Sequence, residues 1–224
     1  RRLLRRWSER VTPGIYEYVL ARTAFLDERY ARTLNDGTEQ IVLLGAGYDT
    51  RPCRMPPPDG VKVIELDIAP TQERKRECLS RAGIAKPTGL VFAPIDFNTQ
   101  SISSVLGEAG YDPGRKTLFL WEGVTYYLTG NAVDDVIRLV RENTHPETTI
   151  AFDHAITLTD ENMDHIYGAR AFPETWRKHH KGEPFRFFID EGTLPSFHRE
   201  RGLDLVEHLD DSEIESAYPT GGAG

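Results

Sequence analysis

Short apolar runs alternate with longer amphipathic stretches from about residue 40 to residue 153. This pattern is typical of strand–helix units on a parallel sheet. The apolar and β-branched runs predict four or five strands, at 41–44, 61–66, 90–93, 117–121 and 148–152. Between them, alternating charges at 71–81 and an apolar face at 131–142 predict helices that pack on the sheet. We therefore predict an α/β fold.

The flanking segments have other patterns. Residues 16–34 contain no internal Gly or Pro, which predicts one long helix before the first strand. Residues 157–182 are rich in charged and aromatic residues without strand periodicity, so we expect short helices in an inserted lid. A helix at 191–201 and an alternating strand at 203–209 are predicted to follow.

The composition of the chain argues against several classes of binding partner. The chain has 224 residues, with 27 Lys and Arg against 35 Asp and Glu, and a net charge of −8 would repel a nucleic acid. No apolar run approaches the ~18 residues of a membrane span, and no signal peptide is recognisable. Cys53 and Cys78 have no CxxC partner, which argues against a zinc site or a disulfide framework. We expect a cytoplasmic protein that binds neither nucleic acid nor membrane.

A glycine turn follows the first predicted strand. Gly45 and Gly47, with Ala46 between them, would let the backbone approach a ligand closely. The second strand ends in Glu65-Leu66-Asp67, where such folds place a carboxylate for both ribose hydroxyls. Glu65 and Asp67 share a face by strand alternation, and we prefer Asp67 because it lies nearer the ligand edge. For an isolated Gly-x-Gly, a tight turn without a ligand is the alternative.

The residues after the turn distinguish two classes of nucleoside ligand. A dinucleotide needs its pyrophosphate on this loop, yet the loop carries Asp49 and has Thr50 at the position of the third glycine. S-adenosylmethionine has no phosphate, and its amine and sulfonium tolerate carboxylates. The loop therefore favours S-adenosylmethionine over NAD or FAD, although Arg51 would soften the repulsion of a phosphate.

Acidic residues also follow the next two strands. Asp96 could accept a hydrogen bond from an adenine amino group while Phe97 covers the ring, and Glu122 could bind the amine of the methionine moiety. In open α/β sheets, ligands bind beyond the carboxyl ends of the strands. A helix cap is the alternative for Asp96.

Four motifs resemble the leucine carboxyl methyltransferase family of class I S-adenosylmethionine-dependent methyltransferases, which includes small-molecule O-methyltransferases of polyketide pathways. They are Ala21-Arg22-Thr23-Ala24-Phe25-Leu26-Asp27, Leu44-Gly45-Ala46-Gly47-Tyr48-Asp49-Thr50-Arg51, Glu65-Leu66-Asp67 with Gln72-Glu73-Arg74-Lys75-Arg76, and Phe119-Leu120-Trp121-Glu122-Gly123-Val124-Thr125-Tyr126-Tyr127-Leu128. Their order and spacing are far more specific than the glycine turn alone.

The resemblance implies a single Rossmann-like domain and a cofactor site. Its parts would be an N-terminal helical cap (1–36), a cofactor-binding core (40–153), a lid (155–190) and a final helix and strand (191–210), with the last strand of the fold missing. Arg22 would clamp the methionine carboxylate. The implied cofactor residues are Arg22, Gly45, Ala46, Gly47, Asp67, Asp96, Phe97 and Glu122. Without the resemblance, Arg22 could be a neighbour of Asp27 on a solvated helix face.

The acceptor is less defined. A carboxylate acceptor needs no base, whereas a phenol or alcohol usually does, and His154 just beyond the fifth strand is the candidate base or else a loop histidine. Tyr126 and Trp176 are candidate substrate residues because aromatics cluster near the lid, where they could wall a pocket or form the lid's own core. The spacing of His165 and of the histidines at 179–180 indicates no metal site.

The sequence thus predicts an S-adenosylmethionine-dependent O-methyltransferase that acts on a carboxylate or hydroxyl of a small molecule, in secondary metabolism. Three alternatives stay open: an NAD-binding oxidoreductase, a nucleoside-binding scaffold without turnover, and, within the family, a methyltransferase of protein C-terminal carboxylates.

Overall fold

The sheet of the protein has five parallel strands. A computed structural model describes residues 2–142, 144–179 and 184–219, and side chains from residue 7 onward. Within these ranges the strand order is β3-β2-β1-β4-β5. The strands are β1 (Gln40–Leu44), β2 (Lys62–Asp67), β3 (Leu90–Pro94), β4 (Thr117–Trp121) and β5 (Thr149–Phe152).

Helices cover both faces of this sheet. They are α1 (Arg2–Val11), α2 (Ile15–Thr33), α3 (Arg51–Arg54), α4 (Ala69–Arg81), α5 (Ile102–Glu108), α6 (Gly130–Glu142), α7 (Phe172–His179), α8 (Leu194–Glu200) and α9 (Asp211–Ala217). Short 3-10 turns lie at Thr125–Tyr127 and Asn162–Asp164. No described helix is long and apolar enough to cross a membrane.

Strand alternation divides the core into two layers. Every residue of β1 and β4 is buried, as expected of central strands covered on both faces. On one face, Ile41 and Leu43 pack with Leu26 and Tyr30 of α2. On the other face, the intervening strand residues pack against α5, α6 and α8. The helix α2 is thereby fixed beside the carboxyl ends of β1 and β4.

The core elements confirm the sequence predictions closely. All five predicted strands are present with boundaries shifted by at most one residue, and the helices at 16–34, 71–81 and 131–142 correspond to α2, α4 and α6. The helix predicted at 191–201 is the shorter α8. Of the predicted lid, the described part contains a 3-10 turn and α7, and residues 180–182 lie outside the described ranges.

The strand predicted at 203–209 is wrong. The segment has no regular secondary structure and pairs with no described strand, and Leu205 and Val206 are 41% and 88% exposed. Its contacts include α2, where Arg29 donates to Glu207 at 2.6 Å, and the loop after β5, where the ring of His208 lies 6.0 Å from that of His154. The helix α9 continues the chain along α2, with the ring of Tyr218 at 6.0 Å from that of Phe25. Alternating leucines predict a strand only where a neighbouring strand is available to pair with it.

A buried ion pair lies beneath the sheet edge. Glu65 of β2 is fully buried and accepts a 2.6 Å hydrogen bond from Nζ of Lys75 on α4. Burial raises the pKa of Glu65 to about 7, although Lys75 acts in the opposite direction. The folded state therefore binds this proton more tightly than the unfolded state, so this group makes stability fall as the pH rises from about 4.5 to about 7.

Lys75→Met should destabilise the protein more at about pH 8 than at about pH 5, because only the ionised Glu65 carboxylate depends on the lysine. We expect a cost of about 3 kcal/mol at the higher pH, measured by urea unfolding. Lys178→Met, on the exposed surface of α7, is the matched control and should have little effect at either pH. An equal cost of Lys75→Met at both pH values would contradict the assignment.

Candidate functional site

The loop after β1 is built on two glycines with positive φ. Gly45 has φ 66° and Gly47 has φ 47°, both in the left-handed region that favours glycine. A Cβ at Gly45 would lie 2.4 Å from Cγ2 of Val124, which follows β4. The buried Ala46 donates its N–H to the carbonyl of Leu66 at 2.9 Å, so the loop is fastened to the end of β2.

Asp67 lies against this loop, as the sequence predicts. Its Oδ2 accepts the N–H of Gly47 at 2.6 Å and its Oδ1 accepts the N–H of Ile68 at 2.7 Å. A carboxylate has about four acceptor positions, so about two are left for further donors. The alternative residue, Glu65, is buried and paired with Lys75, which removes it from the ligand edge.

Arg22 reaches from α2 to the ends of β4 and β5. Its Nε donates to Oε1 of Glu122 at 3.1 Å, and its Nη1 donates to Asp153 at 2.9 Å and to the hydroxyl of Tyr126 at 3.3 Å. Its Nη2 has no hydrogen-bond partner among the described residues. Arg22 does not pair with Asp27, whose carboxylate bonds Arg51 and Arg54 instead. The solvated-face alternative for Arg22 is therefore excluded.

Arg51 is a second buried guanidinium at the same edge. It is 2% exposed and donates to Asp27 at 2.7 Å, to Asp49 at 2.6 Å and to Oε2 of Glu122 at 2.7 Å. Glu122 thus joins Arg22 and Arg51, and the hydroxyl of Thr23 donates to it at 2.8 Å.

This network favours the charged forms of Glu122 and Arg22. Burial alone would raise the pKa of Glu122, but Arg51 and Arg22 outweigh it and lower the pKa below its ordinary value. Burial likewise disfavours the charge on Arg22, yet Asp153 and its other neighbours raise the pKa of the guanidinium above its usual range. The edge is therefore a site of fixed charges, with carboxylates in excess.

Two candidate residues, Asp96 and Phe97, follow the third strand, β3. Asp96 is exposed, two residues beyond β3, and accepts the N–H of Asn98 at 2.9 Å in a local turn. Its backbone neighbours Asp67, since Ile95 donates to the carbonyl of that residue at 2.9 Å. Phe97 packs on the core and lines a cavity of about 170 Å³ with residues of α5 and α6. Their roles toward adenine stay predictions.

A cavity of about 1100 Å³ opens beside the network. Tyr126 and His154 line it, as do Tyr18, Phe172, Phe185 and Phe188. Trp176 does not line it, but packs behind the wall at 5.4 Å from the ring of Phe172 and 5.0 Å from that of Phe185. The aromatics near the lid therefore serve both purposes that the sequence left open, as a cavity wall and as a packed core.

His154 is a neutral imidazole at this wall. Burial, together with the neighbouring His208 and His198, lowers its pKa to about 4. A general base acts best when its pKa lies near the working pH, so this histidine is a weak base at neutral pH. Its position fits a substrate contact better than proton abstraction.

Sequence reasoning missed three members of the site. Asp153 is 9% exposed and accepts from Gly123 N–H at 2.6 Å, from Arg22 and from the Tyr18 hydroxyl at 2.9 Å. The strand-end rule that selected Glu122 also applies to Asp153, which directly follows β5. The sequence places Arg51 beside the glycine loop, but only packing buries it among carboxylates and brings Tyr18 to this edge. In the described ranges, no group of three or more His, Cys, Asp or Glu residues is arranged to hold a metal ion.

The sequence profile of the leucine carboxyl methyltransferase family matches residues 3–141. A protein of Mycobacterium tuberculosis H37Rv is 36% identical over 135 residues, which cover 60% of this chain and 43% of that protein. One of Mycobacteroides abscessus is 35% identical over 154 residues, covering 68% and 50%. The curated names of both provisionally assign them to the S-adenosyl-L-methionine-dependent methyltransferases. The matched region thus spans half or less of each relative.

Solved structures share the fold at low sequence identity. A methyltransferase-like protein of Thermobifida fusca has a TM-score of 0.62 at 16% identity, over 94% of this chain and 81% of that one. Human N-acetylserotonin methyltransferase, solved in complex with SAM, has a TM-score of 0.55 at 13% identity, over 89% and 52%. The Rossmann-like methyltransferase fold predicted from the sequence is confirmed.

Gly45→Ala should destabilise the protein by more than the cost of a left-handed alanine. That conformational cost is about 1–2 kcal/mol, and the overlap with Val124 adds about 1–3 kcal/mol. Gly37→Ala is the matched control, because Gly37 has φ 83° but nothing within 4 Å of its Cβ position. Thermal unfolding would measure both, and Val124→Ala should recover part of the Gly45→Ala loss. Equal losses for the two glycine variants would rule out the close contact.

His154→Gln should remove a pH dependence of stability. The folded pKa of about 4 lies below the ordinary value of 6.5, so the unfolded state binds the proton more tightly and stability falls as the pH falls from about 6.5 to about 4. The stability of the wild type relative to the variant should therefore decrease between about pH 7 and about pH 5 in urea unfolding. His165→Gln, an exposed lid position, serves as control. A constant difference would show that His154 is not buried as described.

Proposed function

Because the chain belongs to the leucine carboxyl methyltransferase family, we propose that it transfers the methyl group of S-adenosylmethionine to a carboxylate or hydroxyl of a small molecule. The Asp67–Gly47 hydrogen bond carries this proposal, since it joins the glycine loop to the end of β2 and leaves acceptor positions open. Those positions suit the two hydroxyls of a ribose. Asp96 and Phe97, which follow the neighbouring strand β3, are proposed to contact the adenine.

The charges favour a sulfonium cofactor over a dinucleotide. Asp49, Asp67 and Glu122 surround the loop, and Arg51 is already shared among three carboxylates. A pyrophosphate there would meet these anions without a free guanidinium to offset them. The amine and sulfonium of S-adenosylmethionine are attracted by the same carboxylates.

Arg22 supports the proposal from the other end of the cofactor. Nε and Nη1 bond protein groups, and Nη2 remains to donate to the methionine carboxylate. A guanidinium that two carboxylates fix in place offers that donor in one orientation. Glu122, held by Arg22 and Arg51, is proposed to accept from the amine. Gly45, Ala46 and Gly47 would line this end, where a side chain on either glycine is disfavoured by the positive φ.

Methyl transfer requires the protein mainly to place the acceptor relative to the cofactor. The cofactor, when bound, supplies a methyl group that is bonded to a positively charged sulfur. After the transfer, this sulfur is part of a neutral thioether, which is the leaving group. The acceptor oxygen provides the electron pair of the new C–O bond, and a hydroxyl acceptor also loses its proton to a base or to water. The chain's own part is to orient the acceptor and exclude water. Tyr18 and Tyr126 are placed for this, since they line the cavity and bond the Arg22–Asp153 pair.

The cavity supports a small-molecule acceptor. Its volume of about 1100 Å³ is slightly above the usual range of ligand pockets, and aromatic rings form much of its wall. A flat, multi-ring molecule of secondary metabolism fits such a wall better than an extended peptide C-terminus. Trp176, behind the wall, is proposed to stiffen it.

Calorimetric titration with S-adenosylhomocysteine tests the cofactor. We expect micromolar binding by the wild type, weakened at least tenfold (about 1.4 kcal/mol) by Asp67→Ala and by Arg22→Ala. Asp67→Ala loses the acceptor of the ribose hydroxyls, and Arg22→Ala loses the carboxylate clamp. Glu73→Ala, an exposed carboxylate on α4, should bind as the wild type does.

Two further arms complete the experiment. Near-ultraviolet circular dichroism must show that each variant is folded. If Asp67→Ala is not folded, it is replaced by Asp67→Asn, which keeps the shape of the side chain. NADH is titrated in parallel. Absence of S-adenosylhomocysteine binding by folded wild type would overturn the proposal, and tight NADH binding would favour an oxidoreductase.

A further inference from the structure

The cavity beside the network combines aromatic walls with an acidic lining, and the comparisons assign no ligand to it. We propose that it selects apolar aromatic molecules that carry a positively charged amine, and that the methyl acceptor is a hydroxyl-bearing member of this class. The second part rests on the function proposed above. The first part concerns binding alone and is tested without methyl transfer.

The aromatic part of the wall is one continuous cluster. The ring of Tyr126 stacks on Phe185 at 4.4 Å, Phe172 lies 5.5 Å from Phe185, and Phe188 lies 6.1 Å from it. Phe188 is 42% exposed, so part of this surface is open to a ligand. Such faces bind flat apolar rings, and they also attract cations through the ring quadrupole.

The charged groups of the described lining are unbalanced. Carboxylates come from two helices that border the cavity: Glu9 of α1, and Asp211 and Glu215 of α9. Arg10 is the only Lys or Arg among the described lining residues. Glu9 accepts from the hydroxyl of Tyr167 and from Gly14 N–H at 3.3 Å, which holds its carboxylate at the cavity.

The other titratable groups of the lining add no positive charge. Burial lowers the pKa of His154 to about 4, so its imidazole is neutral at pH 7. Burial raises the pKa of Tyr18 and of Tyr126 above their ordinary values, so both hydroxyls keep their protons. Behind the wall, the charge of Arg22 is already matched by Glu122 and Asp153. The carboxylates of Glu9, Asp211 and Glu215 thus outnumber the one guanidinium, Arg10, of the described lining.

This imbalance decides between acceptor classes. A ligand carboxylate would lose its hydration in a cavity whose lining repels it, whereas an ammonium would gain both ion pairing and ring contacts. The positive charge serves recognition, and the reacting atom remains the oxygen of the hydroxyl. A carboxylate acceptor, which the family's name describes, is therefore disfavoured in this chain.

Three probes with one skeleton measure the preference directly. 2-Naphthylmethylamine is positively charged at neutral pH, 2-naphthalenemethanol is neutral and 2-naphthoate is negatively charged. Calorimetric titration of the full chain should give the order amine, alcohol, carboxylate, with the amine at least about fivefold tighter than the alcohol, as expected of carboxylates acting through a partly wetted cavity. The advantage of the amine should shrink at high salt.

Charge-removing variants locate the effect. Glu215→Gln should weaken the amine at least about threefold and leave the alcohol unchanged. Glu9→Gln/Glu215→Gln should weaken the amine further. Glu73→Gln removes the same charge from the exposed surface of α4, outside the cavity, and should change neither affinity. Phe185→Leu should weaken amine and alcohol alike, because it removes the ring from the wall.

The outcomes separate this inference from the proposed function. Binding of the carboxylate as tight as that of the alcohol, equal binding of amine and alcohol, or binding of none of the three would overturn it. S-adenosylhomocysteine is titrated on the same sample. If S-adenosylhomocysteine binds but the order of the three probes is reversed, only the selectivity proposed for the cavity is refuted. If the probes bind in the expected order but S-adenosylhomocysteine does not bind, only the proposed methyltransferase function is refuted.

Discussion

Two guanidinium groups, one buried and one largely buried, are shared among four carboxylates and join the elements at the carboxyl edge of the sheet. Arg22 and Arg51 meet at Glu122, and each bonds further partners: Asp153 for Arg22, Asp27 and Asp49 for Arg51. The network ties α2 to the loop after β1 and to the ends of β4 and β5. Because every guanidinium in the network has at least two carboxylate partners, the network holds these side chains in place through several contacts at once.

The same network connects the glycine loop with the cavity. On one side, Asp49 of the loop bonds Arg51, and Asp67 accepts the N–H of Gly47. On the other side, Tyr18 and Tyr126 line the cavity while their hydroxyls bond the network. In the proposed function, the cofactor binds on the first side and the methyl acceptor on the second.

Local patterns predicted the core because its elements obey local rules. Fully buried strands such as β1 and β4 are apolar without interruption, and the glycines of the loop are required by backbone geometry. The segment 203–209 has the alternation of a strand and is not one, since pairing depends on a neighbour that no local pattern specifies. The environment of Arg51 likewise depends on contacts that are distant in sequence. Its sequence neighbours suggest a cation in a loop, yet the fold buries it among carboxylates from three segments of the chain.

The sequence by itself determined the α/β fold, the glycine turn and the strand-end residues Asp67 and Glu122, because period, φ and chain order are local properties. Only the tertiary structure decided which carboxylates Arg22 and Arg51 bond and that Glu65 is buried with Lys75. It also decided that His154 is a neutral imidazole at a cavity wall. These features depend on burial and on side chains that are distant in sequence, and distance and desolvation exist only once the chain has folded.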